Sequence, residues 1–496
     1  MNKTTISAVK ASESPSRRLT RNAFFLLTGQ AASSALALLL TAILGRWLGP
    51  AEFGIYYLVL TVSAFVYVVV DWGHSTYLVR ESARRHTDNG KLLGGALVFR
   101  IAAGLVAGLL TILIANALGN DIGSGSLAPL AVLCGLPLAL AQTYGCMFRG
   151  QDRMDLDAIV SVIGKALTVA VTVPILLVGG GVASVLSMQA VGGAGGLLAA
   201  VLLARIIHLQ ARRPGREVLL ELASGGAPIA VFFIAMAVQP FIDAVLLSNL
   251  VPAEVVGWYG AARNIMGLLI VPAAIVGSAS FPELSRVSGS VPDLRRTLRG
   301  TLRLLLGLGA LAAVGTFLFA DVAVALVYAR GRFDPAISVL KVFAPVLPLL
   351  SIDILLGSAL NAAGKTKELA VVKVLSIAVS TALAILLIVA CQARLGNGGI
   401  GLILAFISTE VLMLAAFLWL LPRGAVDRTT ALDFVRAVIS AVCTAMIFGA
   451  LPAMTPWLAI PACVAVFLVF ALWSGLMLST DLYMLARVLR GERHML

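Results

Sequence analysis

LGRWLGPAEFGIYYLVLTVSAFVYVVVDWGHSTYLVRESARR, residues 44–85, contains the end of one apolar segment, a break, a second apolar segment and a charged exit. The Gly49–Pro50 pair interrupts the first segment, because proline cannot continue a helix and disfavours the helical conformation in the residue before it. The uncharged run 53–70 can cross the roughly 30 Å apolar core of a bilayer as a helix. Asp71 and the basic residues after it mark an aqueous interface. The stretch therefore predicts two membrane-spanning helices joined by a tight turn and followed by a basic amphipathic segment.

The composition of the whole chain predicts a polytopic membrane protein. Of its 496 residues, 60% are hydrophobic and 12% are charged, whereas soluble domains have about 25% charged residues. The net charge of +13 is spread over many short loops, which favours membrane topology over a nucleic-acid interface as its cause. The five cysteines lie in or beside apolar segments, so we expect small buried side chains rather than metal ligands or disulfides.

Apolar segments along the chain predict an all-α fold with about 14 transmembrane helices. Their limits carry an error of a few residues. The segments lie at 22–47, 53–75, 91–117, 124–148, 157–178, 182–207, 223–250, 255–282, 300–327, 336–362, 368–391, 399–421, 430–452 and 456–479.

Two short motifs recur in the second half of the chain. The tripeptide PAE at 50–52 returns at 252–254, and each copy is followed by a tyrosine, Tyr56 or Tyr259. A weaker recurrence relates FRGQDR to NAAGKTK and aligns Gly150 with Gly364. Similarities this short arise by chance as well. Because they fall at equivalent places in the helix count, we favour a parallel repeat of six helices.

The repeat predicts the domain organisation. Two six-helix bundles occupy 22–208 and 223–421, and a basic cytoplasmic linker at 209–222 joins them as a hinge. Residues 1–21 form a cytoplasmic tail, and 422–496 contain helices 13 and 14 and a second tail. Of the 37 Lys and Arg residues, 29 fall in or beside the inner loops and tails, five in outer loops and three within helices. This asymmetry places both termini in the cytoplasm.

Ionisable side chains inside the predicted helices are the candidate functional residues, because each costs at least about 2.5 kcal/mol at the bilayer centre. Such a residue by default faces an interior cavity and has a role. The candidates are Asp71, Arg100, Lys165, Asp243, Arg263, Asp353 and Glu410.

Several of these residues share a helix face with small or polar neighbours. Lys165 lies on one face with Thr168 and Thr172, and Asp353 is followed at helical spacing by Gly357 and Asn361. Such faces indicate a polar cleft. The alternative is that they are helix-packing seams with static ion pairs, such as Asp243 with Arg263. For Asp71, a pair with Arg80 or Arg84 is as plausible as a role in transport.

The sequence shows no enzyme constellation. The four histidines are scattered near the inner membrane edges, which does not favour a metal site or a catalytic triad. Glycines at 179–181 and 192–196 lack the flanking features of a phosphate-binding loop, so we interpret them as a turn and a close-packed helix face. We expect neither an enzyme nor a cofactor.

Three motifs resemble a known family. LGRWLGPAEFGIYYL at 44–58, DWGHSTYLVRESARR at 71–85 and FRGQDRM at 148–154 are similar to the polysaccharide biosynthesis and export family of the multidrug/oligosaccharidyl-lipid/polysaccharide exporter superfamily, which includes the O-antigen flippases. The resemblance is strongest over the first five predicted helices and continues as helix count and duplication through the twelfth.

The resemblance implies two bundles around a central cavity that opens alternately to the two sides of the bacterial inner membrane. It implies a flippase that moves an undecaprenyl-pyrophosphate-linked oligosaccharide to the outer leaflet, for lipopolysaccharide O-antigen or another surface polysaccharide. Its partners would be this lipid-linked oligosaccharide, membrane lipids, H⁺ or Na⁺, and polysaccharide polymerase or assembly proteins. Under this resemblance the cations Arg100, Lys165 and Arg263 are the candidate ligands for the pyrophosphate and anionic sugars. A carboxyl in a low dielectric has a raised pKa and suits coupling to H⁺ or Na⁺, so Asp243, Glu410 and, as a weaker third, Asp353 are the candidate coupling residues. Fourteen helices depart from the twelve common among O-antigen flippases and resemble lipid II flippases, which leaves the subfamily open.

Two other function classes stay open. An ion-coupled multidrug antiporter of the same superfamily would need a cavity dominated by carboxylates and aromatic rings, whereas the intramembrane cations here are as numerous as the acids. A membrane enzyme or scaffold of glycan assembly would normally carry a large outer loop, whereas the longest predicted outer loop is 328–335.

Overall fold

Sixteen helices and no strands make up residues 15–84, 89–117, 127–450 and 455–477, which the computed structural model describes. The predicted all-α class is therefore confirmed. The chain divides into two compact units, Met1–Val245 and Leu246–Leu496. The helices of the first unit are α1 Pro15–Asp71, α2 His74–Arg84, α3 Asn89–Ala117, α4 Leu127–Gly150, α5 Met154–Leu177, α6 Val182–Ile206 and α7 Arg216–Leu250, which runs past the boundary.

The second unit contains the other nine described helices. α8 and α9 are bent by 43° at the break between them. These helices are α8 Ala253–Leu269, α9 Val271–Val287, α10 Val291–Tyr328, α11 Pro335–Phe343, α12 Val346–Ala362, α13 Thr366–Leu395, α14 Gly398–Leu420, α15 Arg428–Ala450 and α16 Pro456–Trp473.

The number of membrane spans agrees with the sequence. In the described ranges, 12 helices are long and apolar enough to cross a membrane, or 13 if α8 and α9 form one span. The first of these contains Gly49 with φ 76° and ψ 175°, where two helices meet. Counting the two parts of α1 separately gives the predicted 14. The predicted break before Pro50 is confirmed, and it uses the left-handed φ that glycine adopts at little cost.

The predicted amphipathic exit from the second span is confirmed as α2. Its inward face buries Tyr77, Leu78, Glu81 and Ser82. Helix α4 approaches this face so closely that a Cβ on Gly150 would overlap the Ser82 hydroxyl. Close helix approach through small residues is common between membrane helices.

The basic segment predicted as a linker packs on the first unit. The backbone N–H of Arg212 donates to the Gly90 carbonyl at 2.8 Å. Leu222 is fully buried, and Tyr77 donates to Glu221 at 2.8 Å. The compact units divide within α7, after Val245. The predicted domain limits and the hinge at 209–222 stay predictions.

The two turns that the sequence predicted to correspond, one in each unit, share a backbone geometry. In the turns 148–153 and 360–365, the N–H of the sixth residue bonds to the carbonyl of the first at 2.9 Å. The fifth residue has a positive φ in both, 58° for Asp152 and 76° for Gly364. In this geometry Gly364 occupies the place of Asp152, two residues after Gly150. The repeat itself stays a prediction.

Both units also pack a pair of helices through glycines. In the first unit, a Cβ on Gly192 of α6 would overlap Thr168 of α5. In the second, a Cβ on Gly401 of α14 would overlap the carbonyl of Leu387 on α13. The interpretation of 192–196 as a close-packed helix face is confirmed.

Candidate functional site: buried charges in each unit

Arg100 of α3 is the most deeply buried cation in the described first unit. Its side chain has 0% exposure. One guanidinium nitrogen contacts the Asp71 carboxylate and the Ser75 hydroxyl at 3.3 Å, and the other donates to Thr143 at 2.9 Å. These contacts hold the positive charge between α1, α2, α3 and α4. A role as substrate ligand stays a prediction, and in this conformation the guanidinium is enclosed by its partners.

The predicted partners of Asp71 were wrong. Arg80 and Arg84 both contact Glu81, at 3.2 and 3.6 Å. They belong to the same amphipathic helix as Glu81, whereas Arg100 comes from a neighbouring helix. The partners predicted from nearness in the sequence were therefore not the observed ones, because the pairing depends on how α3 packs against α1.

Lys165 lies half-buried on α5. No carboxylate of the described residues is within ion-pair distance of its ammonium. Thr168 and Thr172, which share its predicted polar face, are buried, and Thr168 packs against Gly192. This face of α5 therefore has two parts. Thr168 packs against a neighbouring helix, and Lys165 is a cation that no described carboxylate neutralises.

Asp243 and Arg263 belong to different compact units. Asp243 is 7% exposed on α7, which continues as a helix through Pro240. Arg263 is half-buried on α8. Their pairing, their roles in coupling and head-group binding, and the kink expected at the proline stay predictions.

The second unit brings two of the predicted carboxylates together around a lysine. Asp353 of α12 accepts a hydrogen bond from Lys373 of α13 at 3.3 Å. Glu410 of α14 is 5% exposed and interacts electrostatically with both. The Lys373 ammonium also lies 5.9 Å from the centre of the Phe417 ring. We call Asp353, Lys373 and Glu410 the acid–lysine cluster.

The acid–lysine cluster contains one more carboxyl than it has cations. Glu410 Oε2 and Asp353 Oδ1 are buried and lack a hydrogen-bond partner among the described residues. A second ionised carboxylate without a partner is costly in an apolar interior. The cluster is therefore suited to hold a proton or a small cation as the second positive charge.

Sequence reasoning missed Lys373 because it assigned this residue to the basic inner face. A signal was present: Lys373 is the fifth residue after Glu368, more than one helical turn inside an apolar run. Its partner Asp353 comes from a different predicted helix, and periodicity within one helix does not identify neighbours on another. No group of three or more His, Cys, Asp or Glu side chains in the described ranges is placed to hold a metal ion.

Two family models match the chain. The model described as "Polysaccharide biosynthesis protein" covers residues 19–288, and the MatE model covers 228–386. A search of curated proteins found no match.

Solved transporter structures have a similar fold. The lipid II flippase MurJ in an inward closed conformation superimposes with a TM-score of 0.71 at 14% identity, covering 90% of this chain and 98% of MurJ. An inward-facing multidrug resistance MATE family transporter gives 0.62 at 17% identity, covering 80% and 97%. A MOP superfamily transporter from Pyrococcus furiosus gives 0.51 at 14% identity, covering 82% and 95%. At these identities the similarity concerns the fold.

Proposed function

Because the chain belongs to the polysaccharide biosynthesis protein family, we propose that it is a flippase that moves an undecaprenyl-pyrophosphate-linked oligosaccharide across the bacterial inner membrane. The observation that carries this proposal is the family match over residues 19–288, more than half of the chain. The fold shared with the lipid II flippase MurJ supports a lipid-linked substrate. The transported glycan would be used for surface polysaccharide.

Lys165 is the best-supported ligand for the pyrophosphate in this proposal. It is a half-buried ammonium that no described carboxylate neutralises, and phosphate oxygens accept strong hydrogen bonds from cations. Arg263 is the second candidate. Arg100 is the weakest of the three, since Asp71 already occupies its guanidinium.

A multidrug antiporter is the second candidate function. The MatE match over 228–386 and the similarity to the MATE transporter favour it. The two functions differ in the phenotype of a cell that lacks the protein. A flippase mutant accumulates lipid-linked oligosaccharide in the inner leaflet and loses surface polysaccharide, whereas an antiporter mutant becomes sensitive to cationic drugs.

The deciding experiment deletes the gene in its native host and measures both properties. We expect loss of surface polysaccharide, accumulation of the lipid-linked precursor and unchanged drug sensitivity. Lys165→Ala should reproduce the loss, while Lys367→Ala, an exposed lysine on α13, should not. Normal surface polysaccharide together with drug sensitivity would contradict the flippase proposal and favour the antiporter.

We further propose that the acid–lysine cluster couples transport to H⁺ or Na⁺. Uptake of a cation by Glu410 would compensate the second carboxylate, and its release would weaken the packing of α12, α13 and α14 around Lys373. A coupling ion changes a conformational equilibrium only if it binds one conformation more tightly. The cluster provides this difference if the three helices move relative to one another. Asp243, buried on α7, is the alternative coupling residue.

Substitution of Glu410 by Gln tests the coupling. The uncharged amide keeps the shape but takes up no cation, so transport driven by an ion gradient in vesicles should fall at least tenfold. Binding of the lipid-linked substrate should be retained. The matched control is Glu368→Gln, an exposed glutamate at the start of α13. Gradient-driven transport by the Glu410 variant at the wild-type rate would exclude this cluster and leave Asp243 as the candidate.

A further inference from the structure

A cavity of about 790 Å³ lies at one end of the second unit. It is formed by the first turns of α10, the loop before α15, α15 itself and the chain just after α16. All the cations that line it are arginines. We call the set the arginine pocket; it contains Arg295, Arg296, Arg299, Arg303 and Arg436.

A buried carboxylate holds two of these side chains in place. Asp433 of α15, with 2% side-chain exposure, contacts Arg299 at 3.3 Å and Arg436 at 2.8 Å. Asp433 does not itself line the cavity. It therefore holds two guanidinium groups on the side away from the cavity. The other N–H donors of these two planar groups are thereby preorganised for a ligand.

The one carboxylate that lines the pocket is already engaged. Asp427 accepts hydrogen bonds from the Thr429 hydroxyl at 2.6 Å and the Thr430 N–H at 2.9 Å, and so caps the start of α15. These hydrogen bonds, led by that of Thr429, hold the pKa of Asp427 well below its usual range. Five guanidinium groups thus meet two carboxylates, Asp427 in the lining and Asp433 behind it, which leaves a formal charge of +3 (5 − 2).

Charge and geometry together select a phosphate as the ligand. Guanidinium groups bind phosphate oxygens in pairs and are the preferred donors for such anions. An anion with several acceptor oxygens would compensate the positive charge that Asp427 and Asp433 leave on the pocket.

The surface beside the pocket is apolar. On α15, Val435 and Ile439 flank Arg436 and are 48% and 44% exposed, and Leu432 is 51% exposed. A soluble anion would gain nothing from this surface, whereas acyl chains would cover it. Basic pockets between transmembrane helices near the membrane surface suit lipid head groups.

We propose that the arginine pocket binds the phosphate of an anionic lipid head group, with the acyl chains along the exposed face of α15. In this proposal α15 and the chain after α16 help to hold a bound lipid. The lipid site is separate from the acid–lysine cluster. It does not depend on the transported substrate, because any phosphate-bearing membrane lipid satisfies it.

The test measures lipid binding to the full-length protein in detergent by native mass spectrometry. The probes are phosphatidylglycerol, the neutral phosphatidylcholine, undecaprenyl pyrophosphate and inorganic pyrophosphate. The variant combines Arg295→Gln, Arg296→Gln and Arg303→Gln, which leaves both contacts of Asp433 intact. Because the variant removes three of the five guanidinium donors of the pocket, we expect phosphatidylglycerol to bind at least tenfold more weakly.

The control replaces three exposed cations that do not line the cavity, Lys367, Arg423 and Arg428, by Gln. It should bind phosphatidylglycerol as wild type does. If the triple pocket variant does not fold, Arg296→Glu, at an exposed pocket position, should still weaken binding at least fivefold.

The probes separate the sources of the phosphate. Tighter binding of phosphatidylglycerol than of undecaprenyl pyrophosphate supports a resident phospholipid, and the reverse order supports a prenyl lipid at the same site. Equal loss in pocket and control variants, equal binding of phosphatidylcholine, or binding of inorganic pyrophosphate as tight as that of the lipids would each overturn the proposal.

Discussion

At the residue scale, Arg100 and Glu410 are both buried ionisable residues, but their charges are compensated differently. Each has one buried atom without a hydrogen-bond partner in the described part of the chain, Nε of Arg100 and Oε2 of Glu410. The difference lies in charge: Arg100 is paired with the Asp71 carboxylate, whereas the acid–lysine cluster contains one more carboxyl than it has cations. An ion pair stabilises one arrangement, but an excess carboxyl favours binding of an additional cation, so Glu410 is the better candidate for a change during the transport cycle.

Replacement of Arg100 by Gln should destabilise the protein. It would leave the Asp71 carboxylate, 7% exposed, without its cation, and loss of one partner of a buried pair typically costs about 3 to 5 kcal/mol. The double variant Asp71→Asn with Arg100→Gln should recover at least half of the lost stability. Thermal unfolding in detergent measures this, with Arg84→Gln on the exposed face of α2 as control. A stable Arg100→Gln variant that no longer transports would instead identify Arg100 as a substrate ligand.

At the element scale, glycines determine how closely neighbouring helices approach. Helices α5 and α6, and helices α13 and α14, are paired through positions where even a methyl group would overlap the neighbouring helix. Because lipid tails are as apolar as leucine, such close packing is a main source of association between membrane helices. Close packing through glycines occurs in the fifth and sixth helices of the first unit and in the helix pair predicted to correspond to them in the second, as a duplicated bundle would require.

The variant Gly401→Ala should therefore lower the free energy of unfolding by about 1 to 3 kcal/mol, the usual cost of overpacking. Its added methyl group would meet the Leu387 carbonyl, and backbone cannot move aside as a side chain can. The matched control is Gly315→Ala in α10, where no atom lies within 4 Å of the added Cβ. Equal unfolding temperatures for the two variants would contradict the packing argument.

At the scale of the whole molecule, the direction of insertion is a prediction from charge. Helix α10 is 38 residues long and connects an exposed turn at Gly289 with an exposed loop at Arg330. The charge asymmetry predicts that the first of these lies in the cytoplasm. The proposed transport direction, from the inner to the outer leaflet, depends on this orientation.

Cysteine labelling tests the orientation. In a variant without the five native cysteines, a cysteine in place of Gly289 should react with an impermeant maleimide only after the cells are permeabilised. One in place of Arg330 should react in intact cells. The reverse pattern would place both termini outside and would contradict the predicted topology.

Sequence alone determined the class of the fold, the number of spans and the break at Gly49. These properties depend on local rules: a helix must satisfy its own backbone in a bilayer, and the length of an apolar run fixes whether it crosses. The same local rules located Arg100, Asp353 and Glu410, since an ionisable residue inside an apolar run is visible in the sequence, although they missed Lys373 near a helix end.

Only the tertiary structure decided which charges meet. Asp71 pairs with Arg100 rather than Arg80 or Arg84, and Lys373 joins Asp353 from a different helix. The arginine pocket likewise combines residues from α10 and α15, which are more than one hundred residues apart in the chain. Periodicity places a residue on a face of its own helix. The neighbour that this face meets is set by side-chain packing between helices, which is a property of the whole bundle.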